Sequence, residues 1–160
     1  MIKRPIIDTL EFAHKGQHQT LQLRSEDFSR LTEESMIVND SVQANVTGGI
    51  QEDGKPFVDI EILSALQQTC QRCLGLFDLQ INSRSRFIIA SREDQLVEIA
   101  HEEQDVNTII AEKELDLVSF VEDELLLALP MVPLHKDGEC ESPQITGEST
   151  NLISPFKGLR

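Results

Sequence analysis

Tyrosine and tryptophan are absent from this sequence, so its seven phenylalanines supply all of its large aromatic surface. Nucleic-acid recognition by stacking bases on an aromatic platform is therefore a poor fit. Cysteine is scarce too: Cys70, Cys73 and Cys140 are an odd set, unsuited to a disulfide framework. No apolar run is long enough to span a bilayer, since the longest, Leu125 to Leu134, is cut by Pro130 and Pro133. The basic pair Lys3-Arg4 is not followed by the apolar core of a secretory signal, because Asp8 and Glu11 interrupt it. These absences lead us to expect a soluble, cytoplasmic protein with no membrane attachment. Positive charge is also short, with 14 Lys and Arg against 28 Asp and Glu.

What is present fits a single folded unit: 160 residues, 39% apolar and 26% charged. The net charge of −14 is placed unevenly. Residues 1–92 hold 10 basic and 12 acidic residues, whereas residues 93–160 hold 4 and 16. A segment of net −12 repels nucleic acid and attracts basic proteins, although an acidic surface also serves plain solubility.

Hydrophobic periodicity gives a coarse architecture. Residues 1–16 are ambiguous, with Ile6 and Ile7 able to open an edge strand. Leu21 and Leu23 alternate in a short strand from His18 to Arg24, and Ser25 caps a brief helical turn through Phe28 and Leu31. A strand from Met36 to Thr47 places Val42, Ala44 and Val46 on one face. Gly48-Gly49 and residues 52–56 then mark a turn. Phe57 to Thr69 is the clearest strand, with Val58, Ile60, Ile62 and Leu66 facing inward. A further strand follows, in which Phe77, Leu79, Ile81, Phe87 and Ile89 alternate with polar residues. Residues 91–105 read as an acidic loop and Val106–Ala111 as a possible strand. From Asp116, a plausible N-cap, the period becomes helical through about Leu129, where Pro130 helps to stop it.

The expected fold is α+β, an antiparallel meander or barrel-like sheet packed by a C-terminal helix. One domain spans 1–136. A flexible tail follows over 137–160, and its apolar end, from Leu152, docks on the domain.

Three groups of residues carry possible chemistry. Cys70-Gln71-Arg72-Cys73 falls between two strands, at a hairpin tip, with Gly75 relieving the backbone. A zinc ion held there needs two more ligands, and His135 and Cys140 are the sensible pair. The alternative is a pair of reduced thiols with an unligated His135. A thioredoxin-like role is disfavoured, because that chemistry uses a strand-to-helix turn. Second, Arg72, Arg84, Arg86 and Arg92 form the only local cationic excess. They either contact an RNA backbone or pair internally with the acidic C-terminal part. Third, Glu124 falls inside the apolar arc of the helix, where a carboxylate needs a partner, most simply in a structural ion pair. Glu122 and Asp123 project to its margins. No nucleophile–base pair or cofactor loop accompanies these groups, so no catalytic residue is assigned.

Three landmarks resemble the YceD family of bacterial and plastid proteins, associated with accumulation of the large-subunit ribosomal RNA. They are Cys70-Gln71-Arg72-Cys73, the block from Val121-Glu122-Asp123-Glu124 through Pro130, Pro133 and His135 to Cys140, and Ser154-Pro155-Phe156-Lys157-Gly158-Leu159. In the last, Ser154 stands where the family has asparagine. The resemblance implies a ribosome biogenesis factor acting in synthesis, processing or stability of 23S-type ribosomal RNA. It implies no enzymatic activity. Because the family's genes commonly neighbour that of a small basic large-subunit ribosomal protein, it implies such a protein, or a pre-ribosomal particle, as partner. Ribosomal RNA is engaged directly or indirectly. The alternatives are direct RNA binding through the arginine-bearing strand and, less favoured, a zinc-dependent RNA-processing enzyme.

Overall fold

A computed structural model of the protein describes residues 4–31, 36–102 and 106–140. Its framework follows from period-two sequence. In β4 (Pro56–Thr69), Val58, Ile60, Ile62 and Leu66 are all buried, while Asp59, Glu61 and Gln67 face the other side. β3 (Met36–Ile50) lies antiparallel along one edge of β4 and adds Val42, Ala44 and Val46 to the buried face. β5 (Leu76–Ala90) lies antiparallel along the other and adds Ile81, Phe87 and Ile89. β2 (His18–Leu23) borders β3, and β6 (Asn107–Ile110) pairs with Phe87–Ala90 of β5. The sheet order is β2-β3-β4-β5-β6. A second, two-stranded sheet joins β1 (Ile6–Ile7) to β7 (Leu115–Asp116).

Two helices pack on the core. α1 (Thr9–His14) adds Phe12 and Ala13 to it, α2 (Glu93–Glu102) lies outside it, and α3 (Leu117–Ala128) lies on the inner face of the sheet. Asp116 caps it, its carboxylate accepting from the N–H groups of Val118 and Ser119 at 2.9 and 3.4 Å. Leu129 leaves in extended backbone, as expected for a residue preceding Pro130. Leu117, Val118, Val121 and Leu125 are buried, and Phe120 meets Phe87 edge-on with ring centroids 4.8 Å apart. Each such apolar side chain contributes about 1.5–3 kcal/mol, which fixes the helix and the polar groups it carries.

The α+β class, the antiparallel core and the C-terminal helix are as the sequence indicates, with four corrections. The acidic stretch read as a loop over 91–105 contains α2. Its Ile99 and Leu96 pack on Ile88 and Ala90, on the outer face of β5. This helix is the crossover that lets β6 run parallel to β5, so the sheet is not a pure meander. The ambiguous N-terminus forms α1, capped by Asp8, with Phe12 and Ala13 buried. The brief helical turn is a 3₁₀ turn over Ser25–Asp27, and Asp27 accepts from the Arg24 N–H at 2.8 Å.

The last correction concerns Gly48 and Gly49, which lie inside β3 rather than in a turn. A Cβ on Gly48 would sit 2.5 Å from the carbonyl oxygen of Phe12, and one on Gly49 would sit 2.6 Å from the Phe57 ring. These glycines mark close approach, not chain reversal. The reversal lies over Glu52–Gly54, where Gly54 has φ +87°. Of the expected tail over 137–160, residues 141–160, with the apolar end, lie outside the described residues.

Candidate metal centre and the acidic helix

At the β4–β5 turn the chain leaves the sheet at Thr69 and returns at Leu76. The Cys70 N–H donates to Gly75 O at 2.9 Å and the Leu74 N–H to Cys70 O at 2.8 Å, closing a tight knuckle. The residue in left-handed backbone is Leu74, with φ 60°; Gly75 is not. Relief of the turn by Gly75 is therefore not what the geometry requires. A Cβ there would meet Cys73 Sγ at 3.4 Å, an ordinary contact.

The segment after α3 folds back over this knuckle. The Gln71 N–H donates to Pro133 O at 2.9 Å, and the His135 ring lies against Phe77 with centroids 4.8 Å apart. The result brings together the four donors expected from sequence. Cys73 Sγ lies 3.3 Å from His135 Nδ1, Cys140 Sγ lies 3.7 Å from that nitrogen, and Cys70 and Cys140 sulfurs are 3.7 Å apart. All four donor atoms fall within 4.8 Å of one another.

These distances can be compared with a tetrahedral zinc site. With Zn–S about 2.3 Å and Zn–N about 2.0 Å, sulfurs sit about 3.8 Å apart and sulfur and nitrogen about 3.6 Å apart. The arrangement is already close to that figure. The protonation chemistry points the same way. Burial opposes a Cys70 thiolate, but the N–H groups of Cys73, His135 and Arg72 hold its pKa down to about 5. Burial and then the neighbouring Cys70 and Cys73 sulfurs push Cys140 up to about 11. Three thiolates cannot share this space without a cation among them, so the donor set fits a zinc ion. The His135 and Gly75 N–H groups, each 3.4 Å from a cysteine sulfur, supply outer-sphere support.

α3 carries the second polar cluster, and here the roles of its carboxylates differ from expectation. Glu122, expected at a margin, is 1% exposed. Its Oε1 accepts from the backbone N–H groups of Arg30 and Leu31 at 2.6 and 3.2 Å, and Oε2 pairs with Arg30 Nε at 3.4 Å. Burial raises its pKa, but the two backbone donors and the Arg30 charge outweigh that and leave it lowered. Asp123 takes the other end of the same guanidinium, 2.5 Å from Arg30 Nη2. Glu124 is buried as expected, yet its partner is neutral: Ser85 Oγ donates to Oε2 at 2.9 Å. The structural ion pair thus belongs to Glu122.

A profile described as "Large ribosomal RNA subunit accumulation protein YceD" matches residues 58–155, more than half of the chain. The chain belongs to the YceD family. A relative with that same description, from Haemophilus influenzae, is 27% identical over 151 residues, covering 88% of this chain and 80% of its own. No solved structure is a significant match. The matched span holds the cysteine knuckle, α3 and the fold-back segment, so the metal centre and the acidic helix both lie in the part that defines the family. In it, Pro130 ends the helix and Pro133 lends its carbonyl to the knuckle.

The four arginines are not gathered into one patch. Arg84 and Arg86 share the outer face of β5, while Arg72 is at the knuckle and Arg92 beyond the opposite end of the strand. Arg86 makes a bidentate pair with Asp59 at 2.7 and 2.8 Å and lies 4.0 Å over the Phe57 ring. Arg84 stands opposite Glu61, Arg92 is 3.6 Å from Asp94, and Arg72 is 3.9 Å from Asp137. Sequence reasoning missed Ser85, Leu74, Phe77 and Arg30. Of these, only Arg30 carried a signal, as an isolated cation upstream of an acidic helix.

Proposed function

We propose that this protein supports accumulation of large-subunit ribosomal RNA as a non-enzymatic factor that binds a basic large-subunit ribosomal protein in the cytoplasm. The observation that carries the reading is the −12 balance of residues 93–160, most of which, through residue 155, sit in the part of the chain shared with the family. Charge of that size speeds encounter with a basic partner and penalises acidic competitors. The name of the family supplies the RNA end of the reading.

In this reading zinc is structural. Cys70, Cys73, His135 and Cys140 together satisfy a tetrahedral ion and leave no position for substrate, which argues against a zinc-dependent RNA-processing enzyme. Direct RNA contact through Arg72, Arg84, Arg86 and Arg92 is the weaker reading, because Arg86 is held by Asp59 and the four are dispersed along the strand.

The test is capture of purified large-subunit ribosomal proteins by the immobilised full-length chain. Binding of a basic ribosomal protein that weakens steeply with salt is expected, together with a fall in large-subunit RNA when the protein is depleted. No capture at low salt would sink the proposal.

A further inference from the structure

β5 has two edges, and one of them is mostly open. Residues Leu76–Ile88 pair with β4, but on the other side only Phe87–Ala90 are paired, by β6. Among the described residues, nothing pairs with the outer edge of β5 from Leu76 to Arg86. An open run of this length, about 36 Å at 3.3 Å per residue, is a template for another strand.

The inner side of this edge is not a bare surface. It borders a groove of about 310 Å³ between β5 and α3, lined by Ser83, Ser85, Phe87, Asn107, Glu124 and Leu127. Glu124 is 7% exposed, and Ser85 occupies only its Oε2. No cation pairs with it among the described residues. A buried carboxylate with one neutral partner is costly, and a cation arriving in the groove relieves that cost. One helical turn on, Leu127 is 78% exposed at the rim.

We infer that the open edge of β5 takes up a basic, extended peptide segment of the partner as an added strand, with a Lys or Arg side chain reaching Glu124. The proposal rests on the basic-partner reading above and locates it. An added strand supplies backbone hydrogen bonds to β5 and projects every second side chain into the groove. One of these meets Glu124. The side chain two positions along meets Leu127 and is apolar. The chain's acidic balance favours such a segment over a neutral or acidic one.

The test uses the full-length protein and a capped peptide, Val-Thr-Val-Thr-Lys-Thr-Val-Thr-Val, in which lysine and valines share one face. Fluorescence anisotropy is expected to show saturable binding that weakens about tenfold or more with Glu124→Gln. Leu127→Lys, at an exposed position, is expected to weaken it similarly without harm to folding, as checked by urea unfolding. Replacing the peptide's lysine by norleucine should cost wild type about as much as Glu124→Gln does, and cost the variant little further. Binding that survives backbone N-methylation of the peptide, or that ignores both variants, overturns the inference. So does absence of binding to the full-length chain, which would mean that its own residues 141–160 or another element already cover the edge. A dimer in sedimentation that excludes the peptide would give the edge to a second copy and also overturn it. Equal capture of the basic ribosomal protein by wild type and Glu124→Gln would leave the functional proposal standing and remove this site. Peptide binding without any capture would do the reverse.

Discussion

His135 Nδ1 lies 3.3 Å from Cys73 Sγ across 62 residues of sequence. That contact is made by the fold, since the turn that carries Cys73 and the segment that carries His135 are separated by β5, α2, β6, β7 and α3. The purified protein is therefore expected to hold about one zinc ion per chain, as a four-donor Cys₃His site does. Cys73→Ser should abolish retention of zinc, and cobalt loaded in its place should show the absorption of a tetrahedral thiolate complex. A chelator should lower the thermal midpoint of wild type but not that of Cys73→Ser. If chelation left the wild-type midpoint where it was, the ion would have no part in the fold.

Leu74 sits in left-handed backbone and is 73% exposed. A non-glycine residue there costs about 1–2 kcal/mol, part of which glycine gives back through its freer unfolded state. Leu74→Gly is expected to leave stability unchanged or raise it by up to about 1 kcal/mol, whereas Gly75→Ala should be tolerated. Urea unfolding of the zinc-loaded proteins checks both, and a loss of stability in Leu74→Gly would show that the exposed leucine packs in a way the geometry does not suggest.

Gly48 offers the opposite case. Its missing Cβ is replaced by the Phe12 carbonyl, and that atom belongs to backbone that cannot swing aside. Gly48→Ala should cost roughly 1–3 kcal/mol, in the range of overpacking, by forcing α1 away from β3. The expected signature is a lower urea midpoint with an unchanged slope.

The Glu122 carboxylate binds two backbone N–H groups and a guanidinium from the stretch after the 3₁₀ turn. Its folded pKa is depressed, so its contribution is complete above the unfolded glutamate value of about 4.3. That contribution is lost as pH falls through the lower folded value. Glu122→Gln should cost about 1.5–3 kcal/mol at neutral pH, the worth of hydrogen bonds to a charged group. The gap between wild type and variant should close on acidification below about pH 4. A gap of constant size down to pH 2 would assign the cost to packing instead.

How much of this was legible beforehand depended on where each element finds its partner. β4 could be read from its alternation, with Val58, Ile60, Ile62 and Leu66 inward and Asp59, Glu61 and Gln67 outward, although Ser64 interrupts the inward row and Leu63 the outward one. Asp116 and Pro130 bracket α3 with local signals. α2 was unreadable as a helix because few of its residues are apolar, and two of these, Leu96 and Ile99, pack on the outer face of β5, which looks solvent-exposed until α2 covers it. α1 was legible in principle: Asp8 and Glu11 have capping spacing, and Phe12 and Ala13 continue one face. At the site, sequence could name Cys70, Cys73, His135 and Cys140 as a ligand set, but not that they meet. It singled out Glu124 correctly as buried, yet could not see that Arg30 serves Glu122 and leaves Glu124 only a serine. Side-chain pairing across elements has no local signature.

The separation of the two halves of the metal centre has a temporal side. A chain emerging from the ribosome presents Cys70 and Cys73 first, and at about 5–20 residues per second His135 follows roughly 3–12 s later. During that interval only two donors are available, too few to hold an ion tightly. The four-donor site is complete only after β5 and α3 have been made, so metal capture would coincide with the end of synthesis of the folded unit and leave half-made chains unsealed.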